Sequence, residues 1–434
     1  IERLDEKVRR LESERATGAG EAAAEERDRQ VQELERKMGA LERQRELDRQ
    51  EAQQKAKSAP KLSVGERGFS LQTADGDFSL RIRSLVQADG RFYFGTHANN
   101  DGFLIRRARL ELTGTVFRNF DYRVMPEFAG TTPTLLDAWL DWRLSPAFQV
   151  LAGKTKLPVG LERFQARENN LMTEFGYPTG LLPNRDIGLA VHGALPVGGL
   201  DYYLGVFNGT TDGGSSVSNP DNGEVLAARL FAQPFNRATN SVLRRLGAGV
   251  GGTYGDGGGP PSNYLTVGQQ TFYRWLAGVV IDGRTWRVDP QVYYFCGPFG
   301  VLGEYAISSQ RVRNGATSGT VRNEAWQVTA SWVLTGEEAT FGGVKPAKAA
   351  DPLRGDWGAW QVTARITQLD IDDTAFPVFA DPAVSASRAR SYGGGLNWYL
   401  NAMVRLTVDY NFTTFQGASM PDEHVLITRV QLRF

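Results

Sequence analysis

Two periods of apolar residues divide the chain. From Ile1 to about Lys57 the apolar positions are sparse and spaced three and four apart: Ile1, Leu4, Val8 and Leu11 form one seam, and Val31, Leu34, Met38 and Leu41 repeat it after a shift of phase. Between the seams, TGAGEAAAEE (Thr17–Glu26) sets Gly18 and Gly20 where each costs a helix about 1 kcal/mol against alanine. The spacing predicts a helical module, 1–57, that gains from self-association as a coiled coil, with a solvated single helix as the alternative. SAPKLSVGERG (Ser58–Gly68) reads as a proline- and glycine-bearing linker, 58–68.

From Phe69 onward, across 69–434, the period is two. Leu110, Leu112 and Gly114 oppose Arg107, Arg109, Glu111 and Thr113; Ala138, Leu140, Trp142 and Leu144 oppose Asp137, Trp139, Asp141 and Arg143. Val404, Leu406, Val408, Tyr410 and Phe412 likewise oppose Arg405, Thr407, Asp409, Asn411 and Thr413. A soluble sandwich turns the polar face outward and a membrane barrel turns it into the lumen, so alternation leaves both open. The pattern predicts strands near 78–94, 103–117, 120–128, 134–144, 147–154, 186–195, 200–208, 224–233, 246–255, 271–281, 285–295, 322–333, 357–369, 388–399, 403–415 and 424–434.

That count is even, and the connections alternate. Arg118-Asn119, Ser145-Pro146, Asp282-Gly283-Arg284 and Leu400-Asn401-Ala402 fall on one side, and the long polar stretches fall on the other. Short periplasmic turns and long outer loops are the habit of bacterial outer-membrane barrels. Thr335–Asp356 breaks the rule, being long on the short side. An even count puts both ends of the barrel, and hence the helical module, in the periplasm. Thr155–Arg185 is then the third outer loop. It carries Lys156, Arg163, Arg167 and Arg185 against Glu162, Glu168 and Glu174, with three prolines and no sustained alternation. Loops of this length are usually functional, and this one is expected to fold inward and narrow a channel.

Composition changes this picture little. The 434 residues carry a formal net charge of zero, which gives no electrostatic case for a nucleic-acid partner. Cys296 is the single cysteine, which excludes an intrachain disulfide and any CxxC site. No apolar run approaches the roughly 18 residues of a spanning helix, so a membrane crossing would have to use strands. Ile1 opens directly on a charged helical pattern, as a processed or truncated end does, and export cannot be read from a leader. The last strand ends on Phe434, in the manner of the assembly signal of outer-membrane barrels.

Chemistry for catalysis is hard to find. His97, His192 and His424 are far apart, with no HExxH, GxSxG or Walker sequence, so the chain reads as no enzyme and calls for no cofactor. Asp75-Gly76-Asp77 and Asp221-Asn222-Gly223-Glu224 could hold calcium but fit ordinary turns. The strongest charge feature is FLIRRARLEL (Phe103–Leu112). Arg107 and Arg109 share its polar face, while Arg106 reaches a lumen only if the strand is irregular or the side chain bends round. Guanidinium groups in a wet wall hydrogen-bond carboxylate or phosphate in pairs. The competing role is to fill the wall by pairing with Asp137, Asp141 and Glu111. Residues 58–434 hold 30 Arg and 5 Lys against 34 carboxylates, so composition decides neither. Within the loop, Lys156, Arg163 and Arg167 against Glu162, Glu168 and Glu174 suit a transverse field or internal salt bridges.

From Phe78 to Phe434 the chain resembles the phosphate-selective porin O/P family. The resemblance rests on VQADGRFYF, FLIRRARLEL, GKTKLPVGLERFQ, NRDIG, WVLTGE, GLNWYLN and the terminal strand, in that order. It implies an all-β membrane protein, a trimeric 16-stranded antiparallel barrel with an inward third loop, basic pore residues drawing oxyanions and passive diffusion. On the matched positions, Arg106 and Arg107 look like part of an arginine ladder, Asp137 like the constriction aspartate, and Arg163 takes the place of a loop lysine. Two positions depart. Leu85 stands where phosphate-specific members carry arginine, though Arg83 lies on the same face; Phe175 follows Glu174 where a further arginine is expected. A similarity to dicarboxylate-type porins with an N-terminal coiled coil suits Ile1–Lys57.

The expectation is an outer-membrane homotrimer passing small anions, phosphate or carboxylates, with lipids and solutes as its partners. Its pore residues would be Arg83, Arg106, Arg107, Arg109, Asp137, Lys156, Arg163 and Arg167. A structural anchor, tethering the envelope to the cell wall through the periplasmic helices, is the alternative.

Overall fold

The computed structural model describes residues 2–15, 21–66, 68–95, 99–216, 218–219, 223–239 and 242–434. The Gly18–Gly20 break, His97 and Asp221–Asn222 lie outside the described residues. Two compact units result: Ile1–Leu62 with Leu71–Asp77, and Ser63–Ser70 with Phe78–Phe434.

The first unit holds α1 (Glu2–Arg15) and α2 (Glu21–Ser58). Strong helix formers and one-turn ion pairs such as Asp5–Arg9 and Glu33–Lys37 sustain them. Val8 is buried, whereas Leu41 and Leu47 stay exposed on α2. The expected linker contains one short strand, Lys61–Gly65, and a second, Gly68–Gln72, begins at its last residue. Asp75 accepts hydrogen bonds from Thr73 Oγ1 and the Asp77 N–H, so Asp75–Asp77 is an Asx-type turn.

The second unit is a closed antiparallel barrel of sixteen strands. They are β1 (Ser79–Phe94), β2 (Gly102–Val116), β3 (Phe120–Glu127), β4 (Thr134–Ser145), β5 (Phe148–Lys156), β6 (Arg185–Leu195), β7 (Leu200–Phe207) and β8 (Val225–Ala232), then β9 (Leu246–Gly259), β10 (Val280–Cys296), β11 (Phe299–Asn314), β12 (Thr317–Val333), β13 (Ala359–Asp370), β14 (Arg388–Tyr399), β15 (Val404–Gln416) and β16 (Glu423–Arg433). Closure is made by β16 on β1, with Leu432 opposite Val86 and His424 opposite Phe94. No sheet edge is left along the ring, as a strand protein in lipid requires.

Burial decides what alternation left open. On β12, Gln327, Thr329 and Ser331 are 1–4% exposed, while Val328 and Trp332 are 45% and 50% exposed. The same inversion recurs on β15, where Thr407, Asp409 and Asn411 are buried and Val408 and Tyr410 are exposed. Polar residues face the interior and apolar residues face out, the pattern of a barrel in lipid. No helix among the described residues is long and apolar enough to cross a membrane.

The expected strand total was reached through two errors that cancel. Segment 271–281 is not a barrel strand: Tyr264–Leu265 and Thr271–Tyr273 pair as a small hairpin inside the connection 260–279. Asp282-Gly283-Arg284 is no turn but the inside of β10, where pairing to β11 is interrupted between Ile281 and Thr285 and Gly283 takes φ +112°. A bulge and a turn both favour such a glycine, so the sequence signal is the same. The missed strand is β11. Its interior face mixes buried Leu302, Ala306 and Val312, which pack on inserted loops, with buried Glu304, Ser308 and Gln310, so the polar half of the alternation is interrupted there.

The connections behave as expected at 117–119, 146–147 and 400–403. The long exception has a physical account. In 334–358, Phe341 stacks on Tyr293 of the wall at 5.0 Å, and Ala339 and Val344 are buried with Leu161 and Leu171. This connection folds back under the segment between β5 and β6 instead of projecting from the barrel.

Candidate pore site

The segment between β5 and β6, Leu157–Asn184, runs across the barrel interior. It contains α3 (Leu161–Phe164), a short 3₁₀ turn at Arg167–Asn169, and α4 (Pro178–Leu181), which starts on the proline favoured at a first helical position. Gly160 opens α3 at φ +84°, a conformation glycine supplies without strain. Gln165 Nε2 donates to the Phe341 carbonyl (2.7 Å), which fastens the segment to the connection beneath it.

One wall holds the beginning of the segment through carboxylates. Asp289 on β10 accepts the Gly160 N–H (2.7 Å), and Glu304 on β11 accepts the N–H groups of Leu161 (2.5 Å) and Glu162 (3.2 Å). Gln327 on β12 bridges Glu304 and Glu162 with its amide N–H₂ (2.8 and 3.0 Å). Further along, Asp409 on β15 accepts the Thr173 N–H (2.5 Å).

The other wall is basic and meets the segment at Glu174. Arg106 on β2 donates Nε and a terminal nitrogen to its two oxygens (2.6 and 3.1 Å), and Arg91 on β1 donates at 2.7 Å. Arg167 and Arg429 each approach to 3.5 Å. Burial alone would raise the Glu174 carboxyl, but Arg106, Arg107 and Arg167 outweigh it and hold the group well below the usual carboxylate range. Arg429 also grips Asp89 through both oxygens (2.6 and 2.7 Å). Pairing between β1 and β2 shifts at Gln87/Ala88, where Gln87 faces Arg107 and Ala88 faces Ile105. Arg106 is the extra residue of that bulge, and the irregularity turns it inward beside Arg107.

A second group lies near the root of the segment. Asp137 is held by Arg185 (2.7 Å) and Arg123 (3.3 Å), and Glu127 by Arg109 (2.7 Å). Arg83 pairs with Glu111 across β1 and β2. Lys156 donates to the carbonyls of Arg163 (2.8 Å) and Gln165 (3.3 Å), Arg163 to that of Thr179, and Arg107 to Gln87 Oε1 (2.9 Å). Arg167 lies 3.9 Å over the Phe175 ring and Arg163 5.6 Å from it, so the aromatic residue that replaces an expected arginine stacks two others.

The eight sequence-derived residues therefore fall into two groups, Arg106, Arg107 and Arg167 around Glu174 and Arg83, Arg109, Asp137 and Lys156 nearer the segment's root, with Arg163 joining them: its carbonyl meets Lys156 and its guanidinium lies by Phe175. Sequence reasoning missed Arg91, Arg123 and Arg429, and also Arg365, which donates to the Glu174 carbonyl (2.7 Å), and Arg405, which donates to the Asn170 carbonyl (3.0 Å). Arg429 was within reach, because the face opposite Leu426, Thr428, Val430 and Leu432 carries it. Two cavities flank the segment. The one toward the turn end, about 400 Å³, meets Arg83, Arg109, Arg123, Lys156 and Arg185. The one toward the loop end, about 300 Å³, meets Arg106, Arg163, Glu174, Phe175 and Tyr264.

A family model described as phosphate-selective porin O and P matches residues 78–434. The chain belongs to that family. Porin O of Pseudomonas aeruginosa is 24% identical to this porin over 392 residues, covering 79% of this chain and 84% of the relative. Among solved structures, the anion-selective porin from Comamonas acidovorans matches with a TM-score of 0.54 at 12% identity, over 82% of this chain and 100% of that one. The trimer form of OmpT from Vibrio cholerae matches at 0.51 and 11%, over 82% and 99%. At such identities the solved neighbours speak for the fold alone. Family and fold together make the molecule an outer-membrane porin and point to a channel rather than an enzyme.

Proposed function

We propose that this porin is a passive channel for small anions, phosphate and carboxylates among them, narrowed by the inward segment Thr155–Arg185. The residues assigned to the pore are Arg83, Arg106, Arg107, Arg109, Asp137, Lys156, Arg163 and Arg167. One observation carries the reading: Arg107, Lys156, Arg163 and Arg405 face the interior with only amide or carbonyl oxygens as hydrogen-bond partners. No carboxylate among the described residues stands within ion-pair distance of these four, so their positive charge has no direct ion-pair partner. Such charge raises the local anion concentration and lowers that of cations.

The assembly belongs to the same reading. A homotrimer accords with the trimer form of the structural neighbour OmpT. The apolar seam of α2, with Leu41 exposed, suits a three-stranded coiled coil in the periplasm. The channel is tested by reversal potentials across planar bilayers in a salt gradient. Wild type should prefer chloride over potassium, and Arg107→Ala should reduce that preference severalfold; a cation-preferring wild type would sink the proposal.

A further inference from the structure

Arg91, Arg106, Arg107, Arg167 and Arg429 come from three strands and the inward segment, yet all but Arg107 lie within 3.5 Å of one carboxylate, Glu174. Glu174 is 2% exposed. Arg106 holds it with two nitrogens, the geometry by which a guanidinium recognises a planar or tetrahedral oxyanion. The same arginine is the most accessible of the group, its side chain 30% exposed, and it borders the loop-end cavity of about 300 Å³. The other carboxylate in ion-pair contact with these arginines, among the described residues, is Asp89, already gripped by Arg429. A solute entering from the loop end therefore meets a ready oxyanion seat with the protein's own carboxylate in it.

We propose that Glu174 is a resident competitor of permeating oxyanions. This deepens the anion-channel reading and rests on it. An arriving oxyanion takes over the donors of Arg106 while Glu174 keeps Arg91 and Arg167, and on departure Arg106 returns to Glu174. The physical gain is turnover. A pore must attract its solute and still release it, and five converging guanidinium groups without a competitor would hold an oxyanion too long. Glu174 thus sets the specificity of the passage: oxyanions able to match its paired hydrogen bonds exchange with it, whereas chloride, with no such geometry, passes by charge alone.

The test is phosphate block of the chloride current through the full-length porin in planar bilayers. Glu174→Gln, which keeps size and removes charge, should lower the half-blocking phosphate concentration by about tenfold, the scale of one charge-assisted contact. Glu174→Asp keeps the charge and should lie nearer to wild type than to E174Q. Glu174→Ala supplies a second readout. Formate, the size of the missing carboxylate, should raise its half-blocking concentration back toward wild type, or restore barrel assembly if the variant misassembles without it. An unchanged block in E174Q, E174D behaving as E174Q does, or no response of E174A to formate would each overturn the proposal. A cation-selective wild type would overturn the channel reading itself, whereas an anion-selective wild type with an unaltered E174Q removes only the role of Glu174.

Discussion

At its beginning the inward segment offers backbone N–H groups to the carboxylates of Asp289 and Glu304; toward its middle it offers a carboxylate, Glu174, to the guanidinium groups of the opposite wall. Both contacts are buried, but they differ in what can replace them. Backbone N–H groups are fixed in the chain, and no permeating anion can take their place on Asp289 or Glu304. A carboxylate on guanidinium can be exchanged for any oxyanion of similar shape. The acidic wall is thereby suited to fastening and the basic wall to binding, although the same segment bridges them.

The comparison can be broken at either wall. The largest effect is expected from Arg429→Gln. Arg429 and Asp89 are 2% exposed, and the guanidinium also donates to the Thr173 carbonyl (2.6 Å). Removing one partner of a buried pair leaves the other uncompensated and costs about 3–5 kcal/mol, which thermal or urea unfolding of the barrel would register. Glu304→Ala should cost less, roughly 2–4 kcal/mol for two orphaned N–H groups. Glu304 shares the Gln327 amide with Glu162, so its loss also relieves like-charge repulsion. Its signature is different in kind: an unfastened segment should make the open-channel current noisy and expose the chain near Leu161 to protease, with anion preference retained. If E304A instead changed selectivity as strongly as E174Q, the division between a fastening wall and a binding wall would be wrong.

Sequence made the barrel legible wherever one face of a strand was polar and the other apolar. It failed at β11, because Leu302, Ala306 and Val312, packed inward onto loops, interrupt the polar face that Glu304, Ser308 and Gln310 otherwise supply. The direction of Arg106 was hidden for another reason. It depends on a bulge that no residue type announces, since Ile105, Arg106 and Arg107 would alternate normally in a regular strand. The cluster around Glu174 could not be read at all: Arg91, Arg106 and Arg429 meet only because β16 closes on β1 while the segment folds in between. Individual basic residues were visible from pattern and resemblance, whereas their shared partner is a product of closure.

The smallest expected effect concerns pH, and it sharpens the comparison by asking whether Glu174 stays charged. A carboxyl whose folded value is depressed contributes its stabilisation fully above its ordinary value, and loses it only as pH falls through the folded one. For Glu174 the folded value lies well below 4.5, because the surrounding guanidinium groups favour the ionised form over burial. Acidification from neutrality to about pH 4.5 should therefore leave it ionised and competing. The expected result is that the difference in chloride-to-potassium permeability between wild type and E174Q stays constant across that range, even if both drift together as other carboxylates titrate. Convergence of the two curves above pH 4.5 would mean that Glu174 takes up a proton there, and that the arginine cluster does not hold it as an ion.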